Sequence, residues 1–474
     1  MRKAGQRRVQ VGEERRRAEP GEGRAGRVGH LPDVGLAVWP TPRRPSWGST
    51  RAGILRSMGV TPPSEAPNGA VHVDRDRLVS LLRRLVEADS TNPPGGEAAV
   101  VAVLADHFGR HGLFVEIDEV LPGRPNLSVA IGGGGTPGPG VATNGPGGGA
   151  EGPGGGADGS GPVLLLSAHT DTMPVGPSWS RPPFAAVVED GELFGRGACD
   201  AKGGLAAMAE AVVAVHEARV PLRGRLVFDA VVDEEAGGAG TLRALAAGRR
   251  ADWAIVAEPT DLAIARTSNG QLDVSITVRG KAAHGSTPDE GRSAIGDAAA
   301  VVAAFEAEHE RLRRAPHPLL GSASYSVGTI HGGVQASIVA AECLLEVDRR
   351  ILPGASTEDA VAEIDAILAR VRAERPGMDV ARDVTLAIPP VEVAAASPVC
   401  IALAEALVGL GAKGTFGGLR ATSDAAWLAT TGMEAVVFGP GSLRHAHGPD
   451  ERVALADVEL AARALAETIV KLLG

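Results

Sequence analysis

The feature that most constrains the fold is a repeated alternation of short apolar segments with longer segments of helical periodicity. The segments VLLLSA (163–168), RLVFDAVV (225–232) and 253–257 are continuously apolar, which is typical of strands covered on both faces. Helices are predicted near 203–218 and 239–247. Strands that alternate with helices in this way predict an α/β fold with a mainly parallel, helix-covered sheet.

The pattern changes after about residue 266. LDVSITVRG, SYSVGTIHGG and AECLLEVDRRI alternate apolar with polar residues, as half-exposed strands do, and helices are predicted at 292–313 and 357–374. We interpret this part as a small α+β domain inserted into the first one. The predicted boundaries are 66–265 together with 385–474 for the discontinuous sheet domain, and 266–384 for the inserted domain.

Two segments carry no folding pattern. Residues 1–65 are predicted to be a disordered basic extension, since residues 1–57 hold 13 Lys and Arg against 5 Asp and Glu in a chain of net charge −10. This extension has neither an aromatic stacking pattern nor the apolar core of a signal peptide, so neither nucleic acid nor a membrane is expected as a partner. Met58 is a candidate start of translation. The glycine-rich segment 132–162 is predicted to be a flexible surface loop.

Cysteine usage indicates a reducing compartment. The three cysteines (Cys199, Cys343 and Cys400) are far apart, form no CxxC pattern and are odd in number. A disulfide-stabilised fold is therefore not expected, and a cytoplasmic location is.

Polar clusters interrupt the apolar pattern at five places, each at or beyond the end of a predicted strand. Because the carboxyl ends of parallel strands meet at one edge of a sheet, these clusters are expected to lie together. Imidazole and carboxylate groups gathered in this way suit zinc or a similar divalent metal. The clusters are HTD (169–171), GRGACDAKGG (195–204), DEE (233–235), AEPT (257–260) and HAHGPDE (445–451).

Spacing within two clusters suggests a division of roles. In HTD, the i, i+2 spacing of a strand puts His169 and Asp171 on one face, where the carboxylate can orient a metal-binding imidazole. In DEE, Glu234 and Glu235 point in different directions if the backbone is extended. One could then bind metal while the other takes a proton from water.

The ordered motifs resemble the co-catalytic zinc exopeptidases and deacylases that include acetylornithine deacetylase, succinyl-diaminopimelate desuccinylase and carboxypeptidase G2-like peptidases. The resemblance covers residues 74–474 and is nearly continuous from SAHTDTMPVG to GRGACDAKGG. STNPPGGE, DEE, AEPT, RGKAAHGSTP, VDRRILPG and AHGPDERV complete it in family order.

The resemblance implies a site with two Zn²⁺ ions, for which Co²⁺ can substitute. Glu234 would be the general base, Asp171 the residue that orients a ligand, and the Asp200–Ala201 peptide would be cis. The implied metal ligands are His169, Asp200 and Glu258 for the first ion, and Asp200, Glu235 and His447 for the second.

The inserted domain resembles the lid of that family, which also forms the contact of a homodimer. His284 matches a lid histidine that stabilises the oxyanion, often from the partner subunit, and Arg350, rather than Arg349, matches an arginine that binds a substrate carboxylate. The sequence departs from the family where Gln335 and Ser337 stand in place of an asparagine, so that substrate contact is not carried over to this chain.

The implied function is hydrolysis of the amide bond of an N-acyl amino acid or small peptide, with a deacylase of the acetylornithine deacetylase and desuccinylase type as the first expectation. A dipeptidase or glutamate-type carboxypeptidase on the same site is the alternative, and an inactive binding homologue is a third. Thr422 and Asp424, in GGLRATSDAAW, are expected to line the substrate pocket.

Overall fold

A computed structural model describes residues 71–132 and 161–474. The predicted extension at 1–65 and nearly all of the predicted loop at 132–162 lie outside the described residues, so those two predictions stay open. Among the helices of the described ranges, none combines the length and apolar character needed to cross a bilayer. All three cysteines are buried and unpaired.

The described residues form nine α-helices and sixteen strands. The helices are α1 (Arg75–Glu87), α2 (Glu97–Arg110), α3 (Gly203–Glu217), α4 (Ala239–Ala246), α5 (Ala294–Leu312), α6 (Thr357–Glu374), α7 (Pro398–Gly409), α8 (Ala425–Ala429) and α9 (Leu455–Leu473). The strands are β1 (Glu116–Leu121), β2 (Arg124–Gly132), β3 (Val163–His169), β4 (Val187–Glu189), β5 (Glu192–Phe194), β6 (Arg225–Val231), β7 (Trp253–Val256), β8 (Ile264–Ser268), β9 (Gly270–Arg279), β10 (Ser324–Gly332), β11 (Glu342–Ile351), β12 (Asp379–Ile388), β13 (Val391–Glu392), β14 (Phe416–Leu419), β15 (Glu434–Val437) and β16 (Arg452–Ala454).

The largest sheet has nine strands in the order β1-β2-β6-β3-β7-β15-β8-β13, with β14 paired to β8. Its central strands β6, β3, β7 and β15 are parallel, whereas β1, β2 and β13 pair antiparallel at the edges. The predicted α/β fold with a mainly parallel, helix-covered sheet is therefore confirmed. The antiparallel pairing at its edges was not predicted.

Both faces of this sheet are covered, as the continuous apolar pattern of β3 requires. Leu164 and Leu166 pack into a core formed with α1, α2, α3, α7 and α9. Leu165, which points the other way, packs into a second core with α8. Helix α3 is buried along nearly its whole length, so it lies at the centre of the first layer.

A four-stranded antiparallel sheet, in the order β10-β11-β9-β12, carries α5 and α6 on one face. In β9 the residues Leu272, Val274, Ile276 and Val278 are buried while their neighbours are half-exposed, because successive side chains of a strand point to opposite faces. This α+β unit agrees with the predicted fold class; the domain boundaries at 265 and 385 stay a prediction.

Candidate metal centre

Three parallel strands of the large sheet end at one edge, and predicted site residues lie at or just after the end of each strand. β3 ends at His169, β6 runs into the turn that holds Glu234 and Glu235, and β7 ends shortly before Glu258. Asp200 lies in the turn Ala198–Lys202 that leads into α3. The topology therefore gathers these side chains, as expected for the carboxyl ends of parallel strands.

All five predicted ligands come together in two groups that share Asp200. In the first ligand group, His169, Asp200 and Glu258 each offer one ligand atom, and these atoms lie within 4.8 Å of one another. In the second ligand group, Asp200, Glu235 and His447 do the same. The grouping is the one that the family resemblance implied, and metal binding by these residues stays a prediction.

The two carboxylate oxygens of Asp200 face different histidines. Oδ1 lies 3.2 Å from His169 Nε2, and Oδ2 lies 3.3 Å from His447 Nε2. Glu235 Oε2 is also 3.3 Å from His447 Nε2, and Glu258 Oε1 is 4.0 Å from His169 Nε2. Separations of this size suit neighbouring ligands about 2.0–2.2 Å from a common ion.

Unpaired buried oxygens show that these carboxylates are not arranged for hydrogen bonding alone. Glu235 Oε1 and Glu258 Oε1 are buried and have no hydrogen-bond partner among the described residues. Burial, together with the charges of Asp200 and Glu234, raises the pKa of Glu258 well above its usual range. A bound cation would stabilise such a cluster, so the residues present fit a divalent metal.

The histidines are held by the same carboxylates. Burial opposes protonation of His169, but the neighbouring carboxylates of Asp171 and Asp200 raise its pKa well above the usual value. Hydrogen bonds with Asp200 and Glu235 raise the pKa of His447 to about 10. Since a histidine must be neutral to bind a metal, metal and protons are expected to compete at both residues.

Asp171 acts less directly on His169 than its spacing suggested. The Nδ1 atom of His169 hydrogen-bonds the main-chain carbonyl of Asp171 at 2.9 Å, while the carboxylate Oδ1 is 3.6 Å away. That carboxylate instead accepts hydrogen bonds from the backbone N–H groups of Glu234 (3.1 Å) and Glu235 (3.2 Å). Asp171 therefore also fixes the turn that carries the two glutamates.

The DEE segment is a tight turn and not the extended backbone that was assumed. Asp233 has a positive φ of 70°, and Glu234–Ala236 form a 3₁₀ turn. Glu235 enters the second ligand group whereas Glu234 belongs to neither. Burial and the nearby charges of Asp424 and Glu235 raise the pKa of Glu234 well above its usual range, against the opposing effect of His169, which suits a group that accepts a proton.

Sequence reasoning missed three buried polar residues that hold these loops. Asn92 donates to Asp171 Oδ2 (2.9 Å) and to Asp233 Oδ1 (3.1 Å). Arg196 and Glu451 are each 1% exposed and form an ion pair of 2.6 Å. All three lie inside quoted motifs, but each of these motifs contains several polar residues, so the sequence gives no signal that marks these three as buried.

Neither of the two residues expected from the inserted domain belongs to a ligand group. His284 is exposed, and its Nδ1 lies 2.7 Å from Ser286 Oγ. Arg350 is half-buried and pairs with Asp348 at 2.9 Å. Arg349 is buried, pairs with Glu363 at 2.8 Å and stacks over Tyr325, which agrees with its being set aside as a substrate ligand.

The two remaining predicted positions, Thr422 and Asp424, differ in exposure. Asp424 is buried and accepts a hydrogen bond of 2.8 Å from Thr241 Oγ1, and burial raises its pKa to about 6. Asp424 is thus tied to the protein and does not face open solvent, whereas Thr422 is half-buried. The Asp200–Ala201 peptide is cis, as predicted.

The family model described as Peptidase family M20/M25/M40 matches residues 165–471, well over half of the chain. With the fold and the ligand groups, this match defines the class as a metal-dependent amidohydrolase or peptidase. The chain belongs to peptidase family M20/M25/M40.

Curated relatives include several deacylases. N-formyl-4-amino-5-aminomethyl-2-methylpyrimidine deformylase of Bacillus subtilis is 26% identical over 414 residues, covering 81% of this chain and 92% of the relative. Acetylornithine deacetylase of Myxococcus xanthus is 31% identical over 317 residues, covering 66% of this chain and 80% of the relative. Among solved structures, a Staphylococcus aureus tripeptidase has a TM-score of 0.67 at 24% identity, covering 84% of this chain and 99% of that one; it supports the fold alone.

Proposed function

We propose that the protein is a deacylase that hydrolyses the amide bond of a small N-acylated amine or amino acid, with two divalent metal ions held by the two ligand groups. The observation that carries this proposal is the pair of ligand groups sharing Asp200, with Glu234 beside them and outside both. The curated relatives that are deformylases and deacetylases support a small acyl group over a peptide.

The donor set favours zinc, with cobalt as a substitute. Each ligand group combines one imidazole with two carboxylates, and neither contains a thiolate. Bound divalent ions supply Lewis acidity, which polarises a substrate carbonyl and makes a nearby water easier to deprotonate.

Glu234 would act as the general base and then as the general acid. Its raised pKa lets it take a proton from the attacking water and return it to the leaving amine. Asp171 would position it, because the Asp171 carboxylate accepts the backbone N–H of Glu234 at 3.1 Å. The proton therefore stays on one carboxyl group between the two halves of the reaction.

The four-stranded sheet with α5 and α6 would serve as the lid and as the contact of a homodimer. His284 is exposed and its ring is hydrogen-bonded to Ser286 of its own loop, and we propose that it stabilises the oxyanion in the site of the partner subunit. Arg350 would exchange Asp348 for the carboxylate of an acyl amino acid. Thr422 and Asp424 would line the pocket on the sheet side.

A hydrolysis panel tests the function. The metal-loaded protein, with Zn²⁺ or Co²⁺, is assayed against N-formyl, N-acetyl and N-succinyl derivatives of one diamino acid, and against dipeptides of matched size. Faster release from an acylated amine than from every dipeptide is expected. Faster cleavage of the dipeptides would replace the deacylase by a dipeptidase or carboxypeptidase.

Glu234→Gln should abolish most of the activity without loss of metal. The amide has nearly the same size but accepts no proton, so we expect kcat to fall by about 10²–10⁴-fold. Metal content, measured by atomic emission, should equal that of the wild type, because Glu234 is in neither ligand group. Full activity in this variant would contradict the proposed mechanism.

A further inference from the structure

Arg196 and Glu451 form a buried ion pair that touches the main chain of two ligand residues. Each residue is 1% exposed, and Arg196 Nη1 lies 2.6 Å from Glu451 Oε2. Arg196 belongs to the loop before the turn Ala198–Lys202, and Glu451 precedes β16. The pair therefore joins parts of the chain that are distant in sequence and adjacent at the metal centre.

Glu451 holds the backbone of Asp200. Its Oε1 atom accepts hydrogen bonds from the N–H groups of Cys199 and Asp200, both at 3.0 Å. A charged acceptor makes each of these bonds stronger than a neutral acceptor would. The shared ligand of the two groups is thus fixed through its main chain.

Arg196 holds the backbone of His447. Its Nη2 atom donates to the carbonyl oxygens of His447 and Pro174, each at 3.2 Å. The side chain of His447 is 50% exposed, so packing alone does not fix it, and its backbone has a φ of 61°. A non-glycine residue in this region needs contacts from its surroundings to keep its conformation.

We propose that Arg196 and Glu451 are positioning residues that set the distance between Asp200 and His447, and so the affinity of the second ligand group for its metal. This inference rests on the proposed metal-binding function. Stability alone gives little reason for the pair, because two buried charges stabilise a fold little more than apolar residues of the same volume. Arg196 Nε also has no hydrogen-bond partner among the described residues. The ion pair therefore leaves one of its own buried polar atoms without a hydrogen bond.

The test compares two buried glutamates with similar surroundings. Glu451→Gln is the test variant, and Glu210→Gln is the matched control. Glu210 is fully buried in α3, pairs with Arg77 at 2.6 Å and accepts a backbone N–H from Asp74 at 3.2 Å, but it contacts no ligand residue. Metal-free proteins are titrated with Zn²⁺ against a chromophoric chelator, and their melting temperatures are measured without metal.

The wild type should bind two ions, and Glu451→Gln should bind one of them, the ion of the second ligand group, about 10–100-fold less tightly. Glu210→Gln should bind both ions with affinities within twofold of the wild type, even if its melting temperature falls as far as that of Glu451→Gln. Arg196→Lys keeps the charge but loses the forked geometry of the guanidinium, so it should lower the affinity for the same ion. It serves as the test variant if Glu451→Gln does not fold.

Two results would overturn the inference alone: wild-type affinity in a folded Glu451→Gln or Arg196→Lys protein, or an equal loss of affinity in Glu210→Gln. A wild-type protein that binds no metal would instead overturn the proposed function and this inference with it.

Discussion

At the scale of single residues, the histidine at position 107 shows how burial controls charge away from the metal centre. His107 lies on the buried face of α2 and is 5% exposed. Burial, aided by the positive charges of His111 and Arg77, lowers its pKa to about 4. The folded protein therefore keeps this histidine neutral at pH values where an unfolded chain would protonate it.

This shift predicts a loss of stability in weak acid. Between pH 6.5 and pH 4 the unfolded chain binds a proton at His107 that the folded chain does not, so the free energy of unfolding falls as the pH falls. From pH 7.5 to pH 5 this one group should account for ~2 kcal/mol of the loss. His107→Gln should remove about that much of the difference between urea unfolding curves recorded at the two pH values.

The control for this measurement is His331→Gln, because His331 is exposed on β10. It should leave the pH dependence of unfolding as in the wild type. An unchanged pH dependence in His107→Gln would show that the folded protein tolerates the charge at this position.

At the scale of elements, the metal centre depends on close contact between the segments that follow β7 and β15. A β-carbon added to Gly439 would lie 2.6 Å from the main-chain oxygen of Glu258 and 3.4 Å from its nitrogen. Real β-carbons do not approach a backbone oxygen this closely, and backbone yields less readily than a flexible side chain. Glycine at 439 therefore lets the segment carrying one predicted ligand lie against its neighbour.

Gly439→Ala should displace Glu258 and lower both activity and the affinity for metal. We expect a loss of at least about tenfold in metal affinity, as for other changes that disturb the support of a ligand. Gly109→Ala is the control, because it lies in α2 with no atom within 4 Å of the added carbon. This control should keep wild-type affinity and gain up to ~1 kcal/mol of stability from better helix propensity.

Local sequence patterns predicted most of the helices and strands, but they could not predict contacts between segments that are distant in the sequence. Helix α6 spans the residues predicted for it, 357–374, because its apolar spacing and its Ser356 capping box are both local signals. The short strands β4, β5 and β16 were missed, since three residues are too few to show a period.

The same distinction applies to the site. The five predicted ligands were identified because each follows a strand or lies in a family motif, and the structure gathers all of them. The pairing of Arg196 with Glu451 joins residues 255 positions apart, and no periodicity or cap predicts such a contact. The turn at Asp233 was also missed, since a positive φ at an aspartate depends on its neighbours in space.

At the scale of the whole molecule, the nine-stranded and the four-stranded sheets have separate hydrophobic cores. The four-stranded sheet and its two helices bury their own apolar cluster, from Leu272 to Val380. The clusters of the large sheet draw on residues before 266 and after 387. A unit with its own core has the main requirement for folding by itself.

Residues 270–388 expressed alone should therefore fold cooperatively. We expect a helical circular dichroism spectrum, a single urea transition and no zinc binding, because all five predicted ligands lie outside this segment. A broad, non-cooperative transition would show that the domain boundaries proposed at 265 and 385 do not separate independent units.

The rest of the chain offers a complementary test, because the segment that carries the four-stranded sheet leaves and re-enters the large sheet at neighbouring positions. Ser268 at the end of β8 is paired with Val391 at the start of β13 in antiparallel register, so a short glycine-rich turn can join them in place of residues 269–390. This shortened chain should bind two Zn²⁺ ions with nearly wild-type affinity, since it keeps both ligand groups. It should hydrolyse acylated substrates poorly, because it lacks His284 and Arg350, and full activity would remove both residues from the proposed mechanism.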